Sequence, residues 1–209
     1  QRPRAVHRVE TRLAEQVATL DLLSNGRVEL GTGEGAGPTE LHPFGARVRD
    51  KRRMWEEGIR AMIPCFSQPS VEFHGEYWDF PARNVLPKPL QRPHPPIVVT
   101  AVAPFSKGVT EAAARGWEPI SANFLMPVWV KSHWPKYAEG CERAGRPADP
   151  ANWRIAKSIL VCDDDKTARA YATDPNSPYR FYYSQLYTKL KANGRIELFK
   201  TRRDQPDDE

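Results

Sequence analysis

Cysteine is scarce in this sequence, and its few copies lie far apart. Cys65, Cys141 and Cys162 never form a CxxC pair, so the sequence predicts neither a disulfide framework nor a zinc site. Long apolar runs are also missing, since no stretch approaches the roughly 20 apolar residues that a membrane helix needs. These absences predict a cytoplasmic protein with reduced thiols and no membrane span.

A dense basic surface is largely missing too. The 209 residues include 31 Lys and Arg against 26 Asp and Glu, which gives a net charge of +5. Nucleic-acid-binding proteins usually concentrate such charge beside exposed aromatic residues. Here the basic residues are spread among acids, apart from residues 47–53 (RVRDKRR), so we expect solvated charge and no nucleic-acid partner. The chain opens on Gln1 and not on Met, and we expect the native N-terminus to precede it.

Short apolar runs alternate with helical patterns along the chain. Helices are predicted over residues 11–23, 49–63, 106–115, 128–144, 163–171 and 179–190. Strands are predicted over residues 27–32, 97–101, 119–121 and 154–161, with a hairpin at 71–80. This alternation favours an α/β fold in which the four strands are adjacent and parallel and the helices lie outside.

Three finer predictions concern single features of this pattern. In the first helix, Leu13, Val17 and Leu20 recur at helical spacing and are expected to form the apolar face. Pro64 is expected to end the second helix. The proline-rich passage at 81–96 is compatible with a linker between domains. Because the strand–helix alternation resumes after it, we interpret residues 67–96 as an excursion within one domain, residues 1–209, whose tail frays near 200–209.

A glycine-rich loop, GTGEGAG, follows the first predicted strand at residues 31–37. A dinucleotide-binding fold requires GxGxxG at the start of a helix, but either register meets Ala36 or Pro38 in place of the third glycine. The loop therefore disfavours a Rossmann fold. A flexible loop after a strand is still the place where α/β proteins bind ligands.

Several longer segments resemble one known family, in the same order. They are LAEQVATLDLLSNGRVELGTGEG (13–35), TELHPFG (39–45), FHGEYWDFPARNVLPKPLQRPHPPIVVTA (73–101), EAAARGW (111–117) and SPYRFYYSQLYTKLKANGRIELFK (177–200). Together they resemble the bacterial-luciferase-like, flavin-dependent monooxygenases. The resemblance implies a (β/α)8 barrel of the TIM type, incomplete here because its early strands are absent. It also implies that reduced FMN, or F420 in some branches, reacts with O₂ to oxidise an organic small molecule.

The resemblance implies contacts to the flavin phosphate at the glycine-rich loop and at Arg52. Many relatives read Gly-Arg-Gly where this chain has Gly33-Glu34-Gly35. A carboxylate repels phosphate, which leaves the backbone N–H groups of Gly35 and Ala36 as donors. Alternatively, Glu34 turns outward or pairs with an arginine (Arg47, Arg49 or Arg52). Arg52 falls where relatives carry a phosphate-binding arginine, or it is a solvated charge on a basic helix.

A third contact is implied at the turn after residues 97–101. Val102, Ala103 and Ser106 are candidates there, because the N-terminus of the following helix offers free N–H groups to an anion. Ser106 can equally be an ordinary N-cap.

No catalytic residue can be named from the sequence. The histidines have no evident partner and are expected to be structural or exposed; they are His7, His42, His74, His94 and His133. Four aromatic residues are expected in the core, with a substrate pocket as the alternative; they are Trp78, Phe80, Trp129 and Trp134.

Two hypotheses about function remain open. In the first, the chain is part of a longer monooxygenase, a homodimer supplied with reduced flavin by a separate reductase. In the second, it is a short, degenerate relative that binds flavin or a partner without catalysis, which Glu34 favours. An intact mass of the native gene product well above 23.8 kDa would support the first.

Overall fold

The computed structural model describes residues 9–35, 37–202 and 204–206. The chain divides into two compact units, residues 1–98 and 99–209. The helices of the described part are Val9–Leu23 (α1), Pro38–Leu41 (α2), Lys51–Ser67 (α3), Lys107–Ala114 (α4), Pro127–Lys131 (α5), His133–Arg143 (α6), Asp165–Thr173 (α7) and Pro178–Ala192 (α8). The strands are Leu30–Thr32 (β1), Val71–His74 (β2), Asp79–Arg83 (β3), Ile97–Ala101 (β4), Glu118–Ser121 (β5) and Arg154–Ile155 (β6).

Four of the strands form one sheet in the order β1-β4-β5-β6. In unit 1, the Leu30 N–H donates to the carbonyl of Pro96 at 2.8 Å. In unit 2, β5 and β6 run parallel, with Ile120 opposite Arg154. The predicted α/β class and the adjacency of the four strands are confirmed.

Two strands are shorter than predicted. The strand expected at 27–32 begins only at Leu30, and the one expected at 154–161 ends at Ile155. The Ala156 N–H still donates to the carbonyl of Ser121, but farther on Ile159 is 81% exposed and Val161 is 88% exposed. An apolar run becomes a strand where its backbone is paired and its side chains are covered; Ile159 and Val161 have little such cover.

The helix α1 buries a different face from the one predicted. Leu13 and Leu20 are exposed, whereas Ala14, Val17 and Ala18 are buried. This helix packs against α3, and small side chains suit such a contact because they let two helices approach closely. Of the three predicted core residues, only Val17 was correct.

The helix α3 continues through Pro64 to Ser67, so the predicted end at Pro64 was wrong. A proline removes one helical N–H, but the next turn still closes, since the Gln68 N–H donates to the carbonyl of Pro64 at 2.9 Å. Cys65 and Phe66 are each 1% exposed. Their burial keeps the last turn helical.

The predicted hairpin is confirmed. The strands β2 and β3 pair antiparallel, and the Gly75 N–H donates to the carbonyl of Trp78 across the turn at 2.9 Å. The proline-rich passage that follows is fastened to the end of α3, because Lys88 Nζ donates to the carbonyls of Cys65 and Gln68.

In unit 2, α4 packs against α6. A buried cluster lies between these helices and β4; its members are Ala101, Val109, Ala113, Tyr137 and Cys141. The single helix predicted over 128–144 is divided at Ser132 into α5 and α6. Ser132 uses its side chain at the junction, where Oγ donates to the carbonyl of Trp129 at 2.6 Å.

The chain has three free cysteines. None of the described helices is long and apolar enough to cross a membrane. The described residues also contain no group of three or more His, Cys, Asp and Glu that could hold a metal ion.

Of the tail at 200–209, residues 203 and 207–209 lie outside the described part. Thr201 bonds to the side chain of Gln205 through its N–H and its hydroxyl.

Candidate cofactor site

A cleft of about 410 Å³ opens in unit 1 beside the glycine-rich loop. The end of β1, residues 33–35 and the helices α1 and α3 line it. Most of the wall is apolar and aromatic, with Leu13, Met54, Trp55, Ile59 and Trp78 among its residues. Charged side chains on the wall are Glu10, Glu34, Glu40 and Lys51.

Glu34 is paired with a lysine and not with the arginines considered from the sequence. Its Oε1 lies 3.9 Å from Lys51 Nζ, and the same ammonium donates to the carbonyl of Gly35 at 2.9 Å. Lys51 begins α3, so the helix brings a cation to the loop and offsets the charge of Glu34. The prediction for Ala36 lies outside the described residues.

Arg52 faces another carboxylate. Its Nε donates to Glu56 Oε1 at 2.8 Å, one helical turn along α3, and its guanidinium lies 5.0 Å from the centroid of the Trp55 ring. The sequence singled out Arg52 and missed Lys51. A lysine at the start of α3 was the available signal.

Two buried acids, Glu10 and Glu57, influence each other electrostatically, and Glu10 lines the cleft. Glu57 Oε1 accepts the backbone N–H groups of Tyr77 and Trp78 at 2.7 and 2.9 Å, which ties the hairpin to α3. Glu10 is only 9% exposed. Burial raises the pKa of Glu10 to about 7; its own backbone N–H opposes the rise, and the charge of Glu57 adds to it. Nothing in the sequence pattern indicated this pair.

In unit 2, the turn between β4 and α4 contains Val102, Ala103 and Ser106, as the sequence predicted. Ser106 stands at the N-cap position of α4, yet its hydroxyl makes no capping hydrogen bond to the helix. The first N–H groups of a helix have no intrahelical acceptor. A hydroxyl and such N–H groups together are donors that suit a phosphate, so this turn fits a flavin phosphate chemically.

His133 has partners that the sequence did not show. It is fully buried; its Nδ1 lies 2.9 Å from Ser121 Oγ and its Nε2 lies 2.9 Å from the carbonyl oxygen of Ala103. Burial lowers the pKa of His133, while the bond to Ala103 acts against that shift. His133 is therefore a buried residue whose ring bonds directly to the candidate turn, and its structural role stays a prediction.

Two further histidines have polar partners, and the four aromatic residues considered from the sequence lie in different places. His74 Nδ1 lies 3.1 Å from Asp79 Oδ2, and His94 Nδ1 lies 2.8 Å from the carbonyl oxygen of Pro95; His7 lies outside the described residues. Phe80 and Trp129 are buried as expected, and Trp134 packs on the α4–α6 cluster. Trp78 lines the cleft.

The sequence model of the luciferase-like monooxygenases matches residues 6–209. The chain is 37% identical over 189 residues to the oxygenase component of the flavin-dependent trigonelline monooxygenase of Acinetobacter baylyi, which covers 87% of this chain and 50% of that protein. It is 38% identical over 87 residues to the FMNH₂-dependent dimethylsulfone monooxygenase of Pseudomonas putida, covering 40% of this chain and 24% of that protein. In its longer alignments the chain spans about half of the curated relative.

Solved structures show the same fold. The oxygenating constituent of the 3,6-diketocamphane monooxygenase of Pseudomonas putida, in complex with FMN, has a TM-score of 0.81 at 21% identity and covers 97% of this chain and 59% of that chain. An F420-dependent secondary alcohol dehydrogenase has a TM-score of 0.62 at 23% identity, over 95% of this chain and 59% of that chain. These likenesses in fold confirm the predicted TIM-type α/β class.

Proposed function

Because the chain belongs to the luciferase-like monooxygenase family, we propose that it forms part of an oxygenase that uses reduced flavin and O₂ to oxidise an organic small molecule. The observation that carries the proposal is the family match over residues 6–209, together with 37% identity to an oxygenase component. Reduced flavin, when bound, supplies the electrons that activate O₂. The protein binds and orients the flavin and excludes water from it.

Two places in the chain are proposed to bind the flavin phosphate, each considered by itself. In unit 2, the hydroxyl of Ser106 and the first N–H groups of α4 donate to phosphate oxygens, and the backbone at Val102 and Ala103 shapes the turn. In unit 1, the backbone N–H groups of Gly35 and Ala36 serve as donors, and Lys51 supplies positive charge. Arg52 remains a proposal that requires its guanidinium to leave Glu56.

FMN is the proposed cofactor, since the dimethylsulfone monooxygenase is named for FMNH₂ and the diketocamphane structure holds FMN. F420 is the alternative, because the alcohol dehydrogenase of similar fold uses it. A separate flavin reductase is the proposed partner, as the words "oxygenase component" in the trigonelline enzyme's name suggest for that relative. Homodimer formation and a cytoplasmic location remain predictions.

A non-catalytic, flavin-binding role is the second candidate, and Glu34 is the residue that favours it. A carboxylate at the phosphate loop weakens phosphate binding by repulsion, although Lys51 lies 3.9 Å away and offsets part of that charge.

The test compares flavin binding with flavin reactivity. FMN, riboflavin and F420 are titrated separately into the chain, with quenching of cofactor fluorescence as the readout. Photoreduced FMN and O₂ are then added to the native gene product, and the rate of flavin reoxidation is recorded with and without a panel of organic acceptors.

Binding of FMN at least tenfold tighter than riboflavin, with incorporation of ¹⁸O from ¹⁸O₂ into an acceptor, is the result that the oxygenase proposal predicts. Binding that leaves the reoxidation of reduced FMN unchanged and oxidises no acceptor supports the non-catalytic role. Failure to bind either FMN or F420 contradicts both candidates.

A further inference from the structure

We propose that Ser132 and His133 are positioning residues that hold the β4–α4 turn in the conformation that presents Ser106 and the start of α4 to the flavin phosphate. The statement that the turn binds the flavin phosphate rests on the proposed function. The hydrogen bonds that fix the turn belong to unit 2 alone and can be measured without any flavin.

Two adjacent residues, Ser132 and His133, form hydrogen bonds to the backbone of the turn at two points. Ser132 Oγ accepts the backbone N–H of Phe105 at 2.9 Å, and its own proton goes to the carbonyl of Trp129 at 2.6 Å. His133 Nε2 lies 2.9 Å from the carbonyl oxygen of Ala103. Ser132 therefore binds the N–H group of Phe105, and His133 binds the C=O group of Ala103, two residues earlier in the turn.

The donor and the acceptor of each hydrogen bond in this network are fixed. The carbonyl of Ala103 only accepts, so His133 Nε2 must carry the hydrogen. Nδ1 of the neutral ring is then an acceptor, and Ser121 Oγ donates to it at 2.9 Å. Ser121 Oγ in turn accepts the indole N–H of Trp153 at 3.0 Å. Every member is satisfied in a single tautomer, and a buried network of this kind is rigid.

The turn needs such support because its backbone is strained. Phe105 has φ of +52°, which places it in the left-handed region; this region is unfavourable for a residue other than glycine. Such conformations persist only where the surroundings enforce them. Phe105 is 53% exposed, and the hydrogen bond from its N–H to Ser132 Oγ is one of the contacts that fix this conformation.

The roles of the two residues are positional and not catalytic. His133 is fully buried and Ser132 is 6% exposed, and both side chains have their hydrogen bonds taken up by unit 2. Their effect on phosphate therefore passes through the backbone from residue 103 to residue 106.

The experiment compares four variants by titrating the chain with FMN and with riboflavin. Ser132→Ala removes the acceptor for Phe105. Ser177→Ala is the matched control, since Ser177 is 3% exposed and also accepts a backbone N–H, from Arg180 at 3.1 Å, but at the start of α8. His133→Gln keeps an N–H donor for Ala103, whereas His133→Leu removes it at similar size.

Ser132→Ala and His133→Leu are expected to weaken FMN binding about tenfold and riboflavin binding less than twofold. Ser177→Ala and His133→Gln should keep the ratio of the two affinities within threefold of wild type. If His133→Leu fails to fold, the smaller Ser132→Ala change decides. An unchanged ratio in Ser132→Ala, or an equal loss in Ser177→Ala, overturns the proposal.

The hydrogen bonds from Ser132 and His133 to the turn are measured by NMR without flavin. The Phe105 amide should be protected from hydrogen exchange in the wild type and lose protection in Ser132→Ala, and the ¹⁵N shifts of His133 should show hydrogen on Nε2. A freely exchanging Phe105 amide in the wild type would show that Ser132 does not fix the turn. A protected amide in a chain that binds no FMN would instead contradict the proposed phosphate site, so the two failures are distinguishable.

Discussion

Asp21 accepts two hydrogen bonds from Gln91, one from its backbone N–H at 2.9 Å and one from its side-chain amide at 2.7 Å. The same amide also donates to the carbonyl of Val28 at 2.8 Å. Burial alone would raise the pKa of Asp21, but the hydrogen bonds from Gln91 and its neighbours outweigh it and lower that pKa. A buried, charged carboxylate therefore fastens the proline-rich passage to the end of α1.

We expect Gln91→Ala to lower the free energy of unfolding by about 1.5–3 kcal/mol, the scale of one hydrogen bond to a charged group. The backbone N–H of residue 91 still bonds to Asp21, but the carboxylate loses the side-chain amide that donates to Oδ1. Urea unfolding at pH 7 measures the change. Gln16→Ala, on the exposed side of α1, is the control, and equal stability of the two variants would contradict the role of Gln91.

Gly140 is expected to tolerate no side chain. A Cβ at this position would lie 2.6 Å from Ala113 Cβ and would also meet the carbonyl oxygen of Thr110, both on α4. Gly140→Ala should therefore force α4 and α6 apart and cost about 1–3 kcal/mol, as overpacking does. Thermal unfolding compares it with Gly31→Ala, whose added methyl meets no atom within 4 Å. A smaller loss in Gly140→Ala than in Gly31→Ala would show that the helices adjust freely.

Glu10 should make the stability of the chain depend on pH near neutrality. The folded chain binds the Glu10 proton more tightly than the unfolded chain, because burial raises the pKa from 4.5 to about 7. Stability from this group is complete below about pH 4.5, falls as the pH rises toward 7, and stays low above it. Glu10→Gln should therefore stabilise the chain by roughly 3 kcal/mol at pH 8 and have little effect at pH 4.

The pH comparison uses chemical unfolding at both pH values. Glu15→Gln, which changes an exposed glutamate on the same helix, is the control and should show no such difference between the two pH values. A Glu10→Gln variant that is no more stable than wild type at pH 8 would show that Glu10 carries its charge in the folded protein without cost.

Lys51 and Arg52 are adjacent cations with different partners, so substituting each separates their roles. Lys51→Met should weaken FMN binding about tenfold relative to riboflavin, because it removes the charge beside residues 34 and 35. Arg52→Met should have a smaller effect, since its guanidinium already pairs with Glu56. Fluorescence titration at two salt concentrations measures both. A larger loss in Arg52→Met would restore Arg52 as the phosphate-binding residue.

Glu34→Arg is expected to tighten FMN binding at least tenfold. The substitution changes the charge beside the proposed phosphate site by two units, and one contact at about 4 Å is worth roughly 4 kcal/mol at an effective dielectric of 20 before screening. The gain should shrink at high salt. Unchanged affinity would show that the Glu34–Lys51 pair does not face the phosphate.

The sequence predicted those elements whose signal is local. The strand Ile97–Ala101 appears as predicted, because five residues in a row carry the apolar pattern of a buried strand. The hairpin at Gly75 follows from its turn residues in the same way. The turn at 102–106 was located because the strand before it and the helix after it were both clear.

The rest depended on contacts between distant residues. The bond from His133 to Ala103 joins positions 30 residues apart in the chain, and no pattern at either position indicates the other. The buried face of α1 was mispredicted because Asp21, a charged residue, is satisfied by Gln91, 70 residues away. Hydrophobic periodicity assigns such a residue to the surface.

The early end of β6 has a consequence for the behaviour of the chain in concentrated solution. After Ala156 the ladder to β5 stops, while Ile159, Leu160 and Val161 hold their side chains open to water. A segment with strand-forming residues and open apolar side chains gains free energy from any extended chain that lies along it. We therefore expect residues 159–161 to favour self-association of this protein at high concentration.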